Sequence, residues 1–283
     1  MGSIIDGKAI AAKMRKELTF QISELLAKNI TPKLDVILVG DDEASASYLR
    51  SKKNACQKAG ILFEDHLLPK ETSMSELKQL IESLNQDAAV HGIMLELPLP
   101  KGLNAKEAVT WINPEKDVDG VSPVSMGYLL SGQDWLFPAT PQSVLEIIHQ
   151  CGVDLTAPHI VMVGYGATVG KPLVPLLLRE LPTLTVCRSK TKDLKSITLQ
   201  ADILIAATGR PNLIRGEMIK PGAVVIDAGI NEVEGRLVGD VNFEEAMEVA
   251  SQVTPVPGGV GSLTTAILMG NVLKAMKLQG IIS

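Results

Sequence analysis

The sequence predicts an α/β protein of two domains, on three observations. Its 283 residues exceed the usual size of a single domain. Short apolar, strand-like runs alternate with segments of helical spacing, which makes a mostly parallel sheet with helices on both faces. The alternation breaks once, at "FPATPQSV" (137–144), and then begins afresh.

After Asp6, an N-cap, the residues Ile10, Met14, Leu18, Ile22 and Leu25 recur at helical spacing, and "LDVILVG" follows as a short buried strand. "ASASYLRSKKNACQKAG" reads as a helix stopped by Gly60, "ILFEDHLL" as a strand, "SMSELKQLIESLN" as a helix with a capping-box start, and "AVHGIMLEL" as a strand. Pro138 and Pro141 mark the junction. Beyond it come helix "SVLEIIHQCG", strand "HIVMVG", a helix from Thr168, and strands "LTVCRS", "ADILIAATG" and "AVVIDAGI". The last helical pattern, "LTTAILMGNVLKAMK", has no strand after it. The expected domains are 1–138 and 139–262, with the helix in 263–283 packing back on the first.

A formal charge of −5 and a pI near 5.5 give no broad attraction to phosphate backbones or anionic membrane, so nucleic acid is not an expected partner. Cys56, Cys151 and Cys187 are widely spaced and form no C-x-x-C pair, as in reduced thiols of a cytosolic protein. The four histidines are scattered, and no metal is expected. The N-terminus turns charged at once, without the apolar core of a signal peptide, and no run has the length of a membrane span. A soluble cytoplasmic protein is expected.

"HIVMVGYGATVGKP" is strand, then Gly164-x-Gly166-x-x-x-Gly170, then helix. It is a spaced-out relative of the dinucleotide fingerprint, in which glycines permit close backbone approach and a helix N-terminus receives the pyrophosphate. At the end of the next strand, where an acid would hold the ribose of NAD, stand Arg188, Ser189 and Lys190. Charge and hydroxyl there suit a 2′-phosphate, so NADP is favoured over NAD. "TPVPGGVGSLT" (254–264) is stiff yet bare of side chains, which lets a flat ligand lie against backbone. In "YLRSKK", Tyr48 and Lys52 share one helical face while Lys53 points elsewhere. "EKDVDGVSP" sets Asp117 and Asp119 in a loop before Gly120, and "GIMLELPLP" puts a carboxylate, Glu96, at the end of an apolar strand.

With "DGK" (6–8), "VILVGDD" (36–42), "KDVDG" (116–120), "VGKP" (169–172), "DAGIN" (227–231), "VGDV" (238–241) and "TPVPGGVG" (254–261), these residues resemble the methylenetetrahydrofolate dehydrogenase/methenyltetrahydrofolate cyclohydrolase family over nearly the whole chain. The resemblance implies an N-terminal α/β folate domain and a C-terminal Rossmann-like domain, with an interdomain cleft. It implies oxidation of 5,10-methylenetetrahydrofolate by NADP+ and hydrolysis of the methenyl product to 10-formyltetrahydrofolate, in a homodimer serving one-carbon metabolism and purine biosynthesis. By that analogy Tyr48 stacks on the folate, Lys52 is the principal group of the hydrolytic half, and Asp119 accepts from the pterin edge. Leu95, Glu96, Leu97, Pro257, Gly258 and Gly259 line the same site. Thr140, Gly164, Tyr165, Gly166, Arg188, Ser189 and Ile230 receive the dinucleotide.

The chain departs from the family pattern in several places. Glu96 replaces a usual Gln, Tyr165-Gly166 a common Arg-Ser, Ser125 an Asn, Ser262 a Pro and Ala139 a Cys. A carboxylate within a few ångströms of Lys52 favours its ammonium form, whereas a general base must be neutral. Weakened hydrolysis, or proton transfer taken over by Glu96, is therefore an open alternative, as is a silent folate- or nucleotide-binding protein.

Overall fold

The computed structural model describes residues 1–152, 157–180 and 183–283. In chain order the first elements are β1 (Ser3–Ile4), α1 (Gly7–Leu26), β2 (Lys33–Val39), α2 (Glu43–Ala59), β3 (Leu62–Leu68), α3 (Met74–Gln86), β4 (Gly92–Leu95), α4 (Ala105–Ala108) and α5 (Pro123–Leu130). There follow α6 (Ala139–Gln150), β5 (His159–Val163), α7 (Gly170–Leu178), β6 (Thr183–Cys187), α8 (Leu194–Thr198), β7 (Ile203–Ala206) and β8 (Val224–Asp227). The last are β9 (Asn231–Val233), β10 (Arg236–Val238), α9 (Phe243–Val249), β11 (Gln252–Val253) and α10 (Thr264–Leu278). Two compact units result: Met14–Phe137 with Thr265–Ser283, and Met1–Lys13 with Pro138–Thr264.

The first unit holds a parallel three-stranded sheet in the order β3-β2-β4. Central β2 sets apolar residues on both faces, as in strands covered on both sides, with the buried Asp35 among them. Leu34, Val36 and Leu38 pack with Ile22, Phe63 and the α10 residues Leu268, Met269, Val272 and Met276. Ile37 and Val39 pack on the opposite side with Leu77 and Ile81. Each such fully buried side chain contributes about 1.5–3 kcal/mol. Helix α3 starts where the sequence places it: Ser73 and Glu76 form a reciprocal capping box, and the helix buries Leu77, Ile81 and Leu84.

The second unit holds a parallel six-stranded sheet in the order β1-β11-β8-β7-β5-β6, the Rossmann-like arrangement expected. The first thirteen residues correct the expected 1–138 span. They belong to this unit because β1 extends its sheet, Ser3 opposite Gln252 and Ile4 opposite Val253, and Ile5 N–H donates to the Val253 carbonyl at 2.9 Å. The helix expected from Thr168 starts at Gly170 and carries Pro175 inside. Strands β1 and β11, of two residues each, and the antiparallel β9–β10 hairpin are too short to leave a periodic signature.

Candidate functional site

Around β2 in the first sheet and β5 in the second, the chain winds first to one side and then to the other. That creates a switch point between β2 and β4 in the first unit and between β5 and β7 in the second. Ligands of open α/β sheets bind outside the carboxyl ends of strands at such points.

At the first, Glu96 directly follows β4, and its N–H donates to the Ile37 carbonyl at 2.9 Å. Its buried carboxylate receives Lys52 Nζ at 2.5 Å. The amine also lies 3.9 Å from Met94 Sδ. Lys52 comes from α2, whose start is fixed by Asp42 accepting from Ser45 N–H and whose end is set by Gly60 in the left-handed region. Tyr48, one turn earlier, is 49% exposed. Lys53 is turned away to an ion pair with Asp65 on β3.

Asp119 is carried to the same strand ends by a segment that runs alongside β4, Ile93 bridging to Asp117 in parallel register. Three contacts hold this segment. Lys116 Nζ donates to the carbonyls of Leu84, Asn85 and Asp87 at 3.1, 2.8 and 2.8 Å. The fully buried Asp117 carboxylate accepts from Ser122 N–H at 2.9 Å and from Ser125 Oγ at 2.8 Å. Asn271 on α10 donates to the carbonyls of Val118 and Phe137. Burial, reinforced by the Asp117 and Glu96 carboxylates and opposed by Lys52, pushes the Asp119 acid up to about 7.

At the second switch point the glycine turn follows β5. Gly164 has φ +114°, and a Cβ there would stand 2.0 Å from the Ala207 carbonyl oxygen. The start of α7 has no side-chain cap; Lys171 N–H donates to the Gly166 carbonyl at 2.9 Å and Pro172 has no N–H, so of the first three positions Gly170 N–H is the one that can turn to an anion. Gly166 and Thr168 line a cavity of about 320 Å³ with Ala207, Thr208, Gly209, Gly229 and Ile230. Beyond β6 the exposed Arg188 guanidinium lies 5.6 Å from the centroid of the Tyr165 ring, and Arg188 N–H donates to Thr191 Oγ1 at 2.8 Å. Ser189 is exposed beside it, and Thr140 lies in the first turn of α6. A bare backbone turn, an uncapped helix start and an exposed guanidinium fit an extended dinucleotide phosphate.

The structure thus brings Lys52, Glu96 and Asp119 together, with Tyr48 on the same helical face as Lys52, and it gathers Gly164, Tyr165, Gly166, Arg188 and Ile230 about the second sheet. Leu97 is 43% exposed, but the Leu95 side chain is in the core with Ile37 and Ile81 and offers a ligand only its backbone. Pro257, Gly258 and Gly259 belong to the second unit, where Gly259 packs so closely on Gly7 that a Cβ at Gly7 would lie 2.3 Å from the Gly259 carbonyl oxygen. Sequence reasoning missed Ser122 and Ser125 as supports of Asp117; the Ser-x-x-Ser spacing after "DVDG" was the available signal. Among the described residues one metal-like grouping exists, Asp35, Glu64 and His66. The Lys33 ammonium, 2.7 Å from Glu64 and 3.5 Å from Asp35, already supplies its positive charge.

Fold and site define an α/β protein in which a dinucleotide-type sheet accompanies an acid–base cluster on a second sheet. Family models agree with that division. One described as tetrahydrofolate dehydrogenase/cyclohydrolase, catalytic domain, matches residues 5–119, and one described as the NAD(P)-binding domain of the same enzymes matches residues 138–280. "Bifunctional protein FolD 2" of Desulfitobacterium hafniense is 50% identical over 279 residues, 99% of this chain and 98% of that protein. The crystal structure of the bifunctional FolD methylenetetrahydrofolate dehydrogenase/cyclohydrolase of Campylobacter jejuni has a TM-score of 0.96 at 42% identity, covering 99% of this chain and 100% of that one. The Trypanosoma brucei enzyme, solved with NADP cofactor and an inhibitor, has a TM-score of 0.94 at 36% identity, covering 99% of each chain. The chain belongs to the tetrahydrofolate dehydrogenase/cyclohydrolase family.

Proposed function

We propose that this protein oxidises 5,10-methylenetetrahydrofolate with NADP+ and hydrolyses the resulting 5,10-methenyltetrahydrofolate to 10-formyltetrahydrofolate. The observation that carries the reading is the grouping of Lys52, Glu96 and Asp119 at the carboxyl ends of β2 and β4, with the exposed Tyr48 one helical turn before Lys52. Bound NADP+ would take the hydride from the bridging carbon. The protein's part in that step is orientation, since little acid or base help is needed. Tyr48 stacks on the flat heterocycle, and the Asp119 carboxylate accepts from two adjacent N–H donors on its edge. Hydrolysis needs more, because a water must lose a proton as it attacks, and the Lys52–Glu96 pair stands ready for that transfer. The reading includes a cytoplasmic homodimer whose 10-formyl product is available to purine biosynthesis. No helix among the described residues is long and apolar enough to cross a membrane. NADPH appearance with methylenetetrahydrofolate as donor, followed by separate measurement of methenyl loss, tests both steps. Absence of the first sinks the reading. The ion pair favours one second reading, a dehydrogenase with slowed hydrolysis.

Asp119 makes the reading pH-dependent. It must be ionised to accept from its ligand, so the KM for the folate is expected to fall as pH rises through about 7, and Asp119→Asn should abolish that dependence. The same group acts oppositely on stability. Its folded-state value lies above the ordinary 3.8, so the folded protein binds the extra proton between those values. Its contribution to stability therefore declines as pH rises through that window. A folate KM that is flat across pH 6 to 8 (roughly one unit either side of the Asp119 value) would contradict the assignment.

Arg188 makes the reading selective. A charge-assisted hydrogen bond to a 2′-phosphate is worth about 1.5–3 kcal/mol. Arg188→Ala is thus expected to raise the KM for NADP+ by roughly 10- to 100-fold and to leave that for NAD+ within about threefold. Equal effects on the two cofactors would remove Arg188 from the phosphate.

A further inference from the structure

Asp227 closes β8, and Asp240 stands two residues beyond β10. Both side chains are buried, at 3% and 0% exposure, where a carboxylate survives only if its oxygens are hydrogen-bonded. Asp240 is fully supplied. Its Oδ2 accepts from the N–H groups of Thr208 and Gly209, and its Oδ1 from Arg210 N–H at 3.0 Å and Asn231 Nδ2 at 2.9 Å. Asp227 is the seat beneath it. Its Oδ1 accepts from Gly229 N–H at 2.9 Å and from the backbone N–H of Asp240 at 3.0 Å, and its Oδ2 from Val241 N–H at 2.8 Å. Glycine makes the approach possible. A Cβ on Gly229 would lie 2.2 Å from the Asp240 carboxylate carbon, and one on Gly239 would lie 1.9 Å from Asp227 Oδ2.

These bonds fasten three separate segments, 208–210 after β7, 229–231 after β8 and 239–241 after β10, to two neighbouring carboxylates. The first two segments supply Thr208, Gly209, Gly229 and Ile230 to the wall of the cavity at the β5–β7 switch point. A trans peptide holds its carbonyl opposite its N–H. The N–H groups that turn toward Asp240 therefore send the carbonyls of Ala207, Thr208 and Gly209 the other way, and the Ala207 oxygen is the atom that presses on Gly164. A carboxylate that faced its donors only to complete the fold would have no reason to draw them from the wall of the ligand cavity.

We propose that Asp240, seated on Asp227, is a positioning residue for the dinucleotide: it sets the peptide planes of 207–210 and 229–231 against which the cofactor lies. The inference rests on the NADP reading given above. In Asp240→Asn the new NH2 meets backbone donors on both sides, Arg210 N–H on one and Thr208 and Gly209 N–H on the other, so whichever way it turns at least one backbone N–H faces another N–H. The expected result is a KM for NADP+ raised at least tenfold with kcat within about threefold of wild type. Hydrolysis of the methenyl compound, which uses no dinucleotide, reports folding in the same sample. Asn231→Ala removes one donor from the half-buried rim of the cluster and serves if the first variant does not fold. It should raise the KM for NADP+ about three- to tenfold. A folded Asp240→Asn with lowered Tm but a KM for NADP+ within twofold of wild type overturns the proposal, and so does an unchanged KM in Asn231→Ala. Wild-type protein that neither binds nor reduces NADP+ overturns the cofactor reading instead.

Discussion

Lys52→Met is expected to slow hydrolysis of 5,10-methenyltetrahydrofolate by about 10²- to 10⁴-fold, the usual worth of a positioned acid–base group, while NADPH formation stays within about tenfold of wild type. The asymmetry follows from chemistry. Hydride transfer depends on orientation, which Tyr48 and Asp119 still supply, whereas the attack of water depends on a proton finding an acceptor and on a cation near the developing oxygen charge. Methionine keeps an unbranched chain of about the length of the lysine stem and lacks the amine. Glu96 refines the test. As an ammonium, Lys52 offers three donors and no lone pair, and the Glu96 carboxylate takes one of those donors at 2.5 Å. Glu96→Gln keeps an acceptor for Nζ but can no longer take a proton, so hydrolysis within about threefold of wild type would leave proton transfer to Lys52. A tenfold fall in the Gln variant would assign proton acceptance to Glu96. Equal loss of both activities in Lys52→Met would mean that the residue binds substrate and takes no part in proton transfer.

Much of this was legible from residue pattern, and what was not has physical reasons. Tyr48 and Lys52 share a face by helical spacing alone, and the turn after β5 declares itself through three glycines between an apolar strand and a helix. The ion pair between Lys52 and Glu96 spans 44 positions and follows from β4 lying beside β2, a parallel pairing that no local window contains. The same holds for residues 1–13, whose two-residue strand has no periodicity and finds its place only because β11 offers it an edge. Asp227 and Asp240 stood in quoted motifs, "DAGIN" and "VGDV", yet a single aspartate in a loop reads as an ordinary turn residue. Their work appears only when three segments of the chain are seen to converge on them. Leu95 shows the converse: the family resemblance put it among the residues lining the folate site, but alternate side chains of a strand point to opposite faces, and this one fills the core.

Gly164→Ala is expected to cost about 2–6 kcal/mol of stability and to abolish measurable NADP+ binding. Two penalties act at one atom. The backbone there has φ +114°, a conformation L side chains rarely adopt, and the new Cβ would sit 2.0 Å from the Ala207 oxygen and 2.5 Å from the Ala207 carbonyl carbon. Neither neighbour can yield cheaply. Gly164 N–H is tied to the Cys187 carbonyl at 2.9 Å, Ala207 N–H to the Val163 carbonyl at 2.8 Å, and the segment after Ala207 to Asp240, so relief requires parting β5 from β7 at the centre of the sheet. The neighbouring glycine isolates the cause. Gly166→Ala would meet no atom within 4 Å and needs no positive φ, so its stability should stay within about 0.5 kcal/mol of wild type. Its NADP+ affinity should nevertheless fall, because the backbone at that point is where a pyrophosphate approaches the α7 N-terminus. Denaturant melts and NADP+ titrations of the two variants separate sheet geometry from ligand contact. A Gly164→Ala protein as stable as wild type would mean that the β5–β7 edge can open without penalty, and the glycine turn would then lose its claim to be a fixed part of the cofactor site.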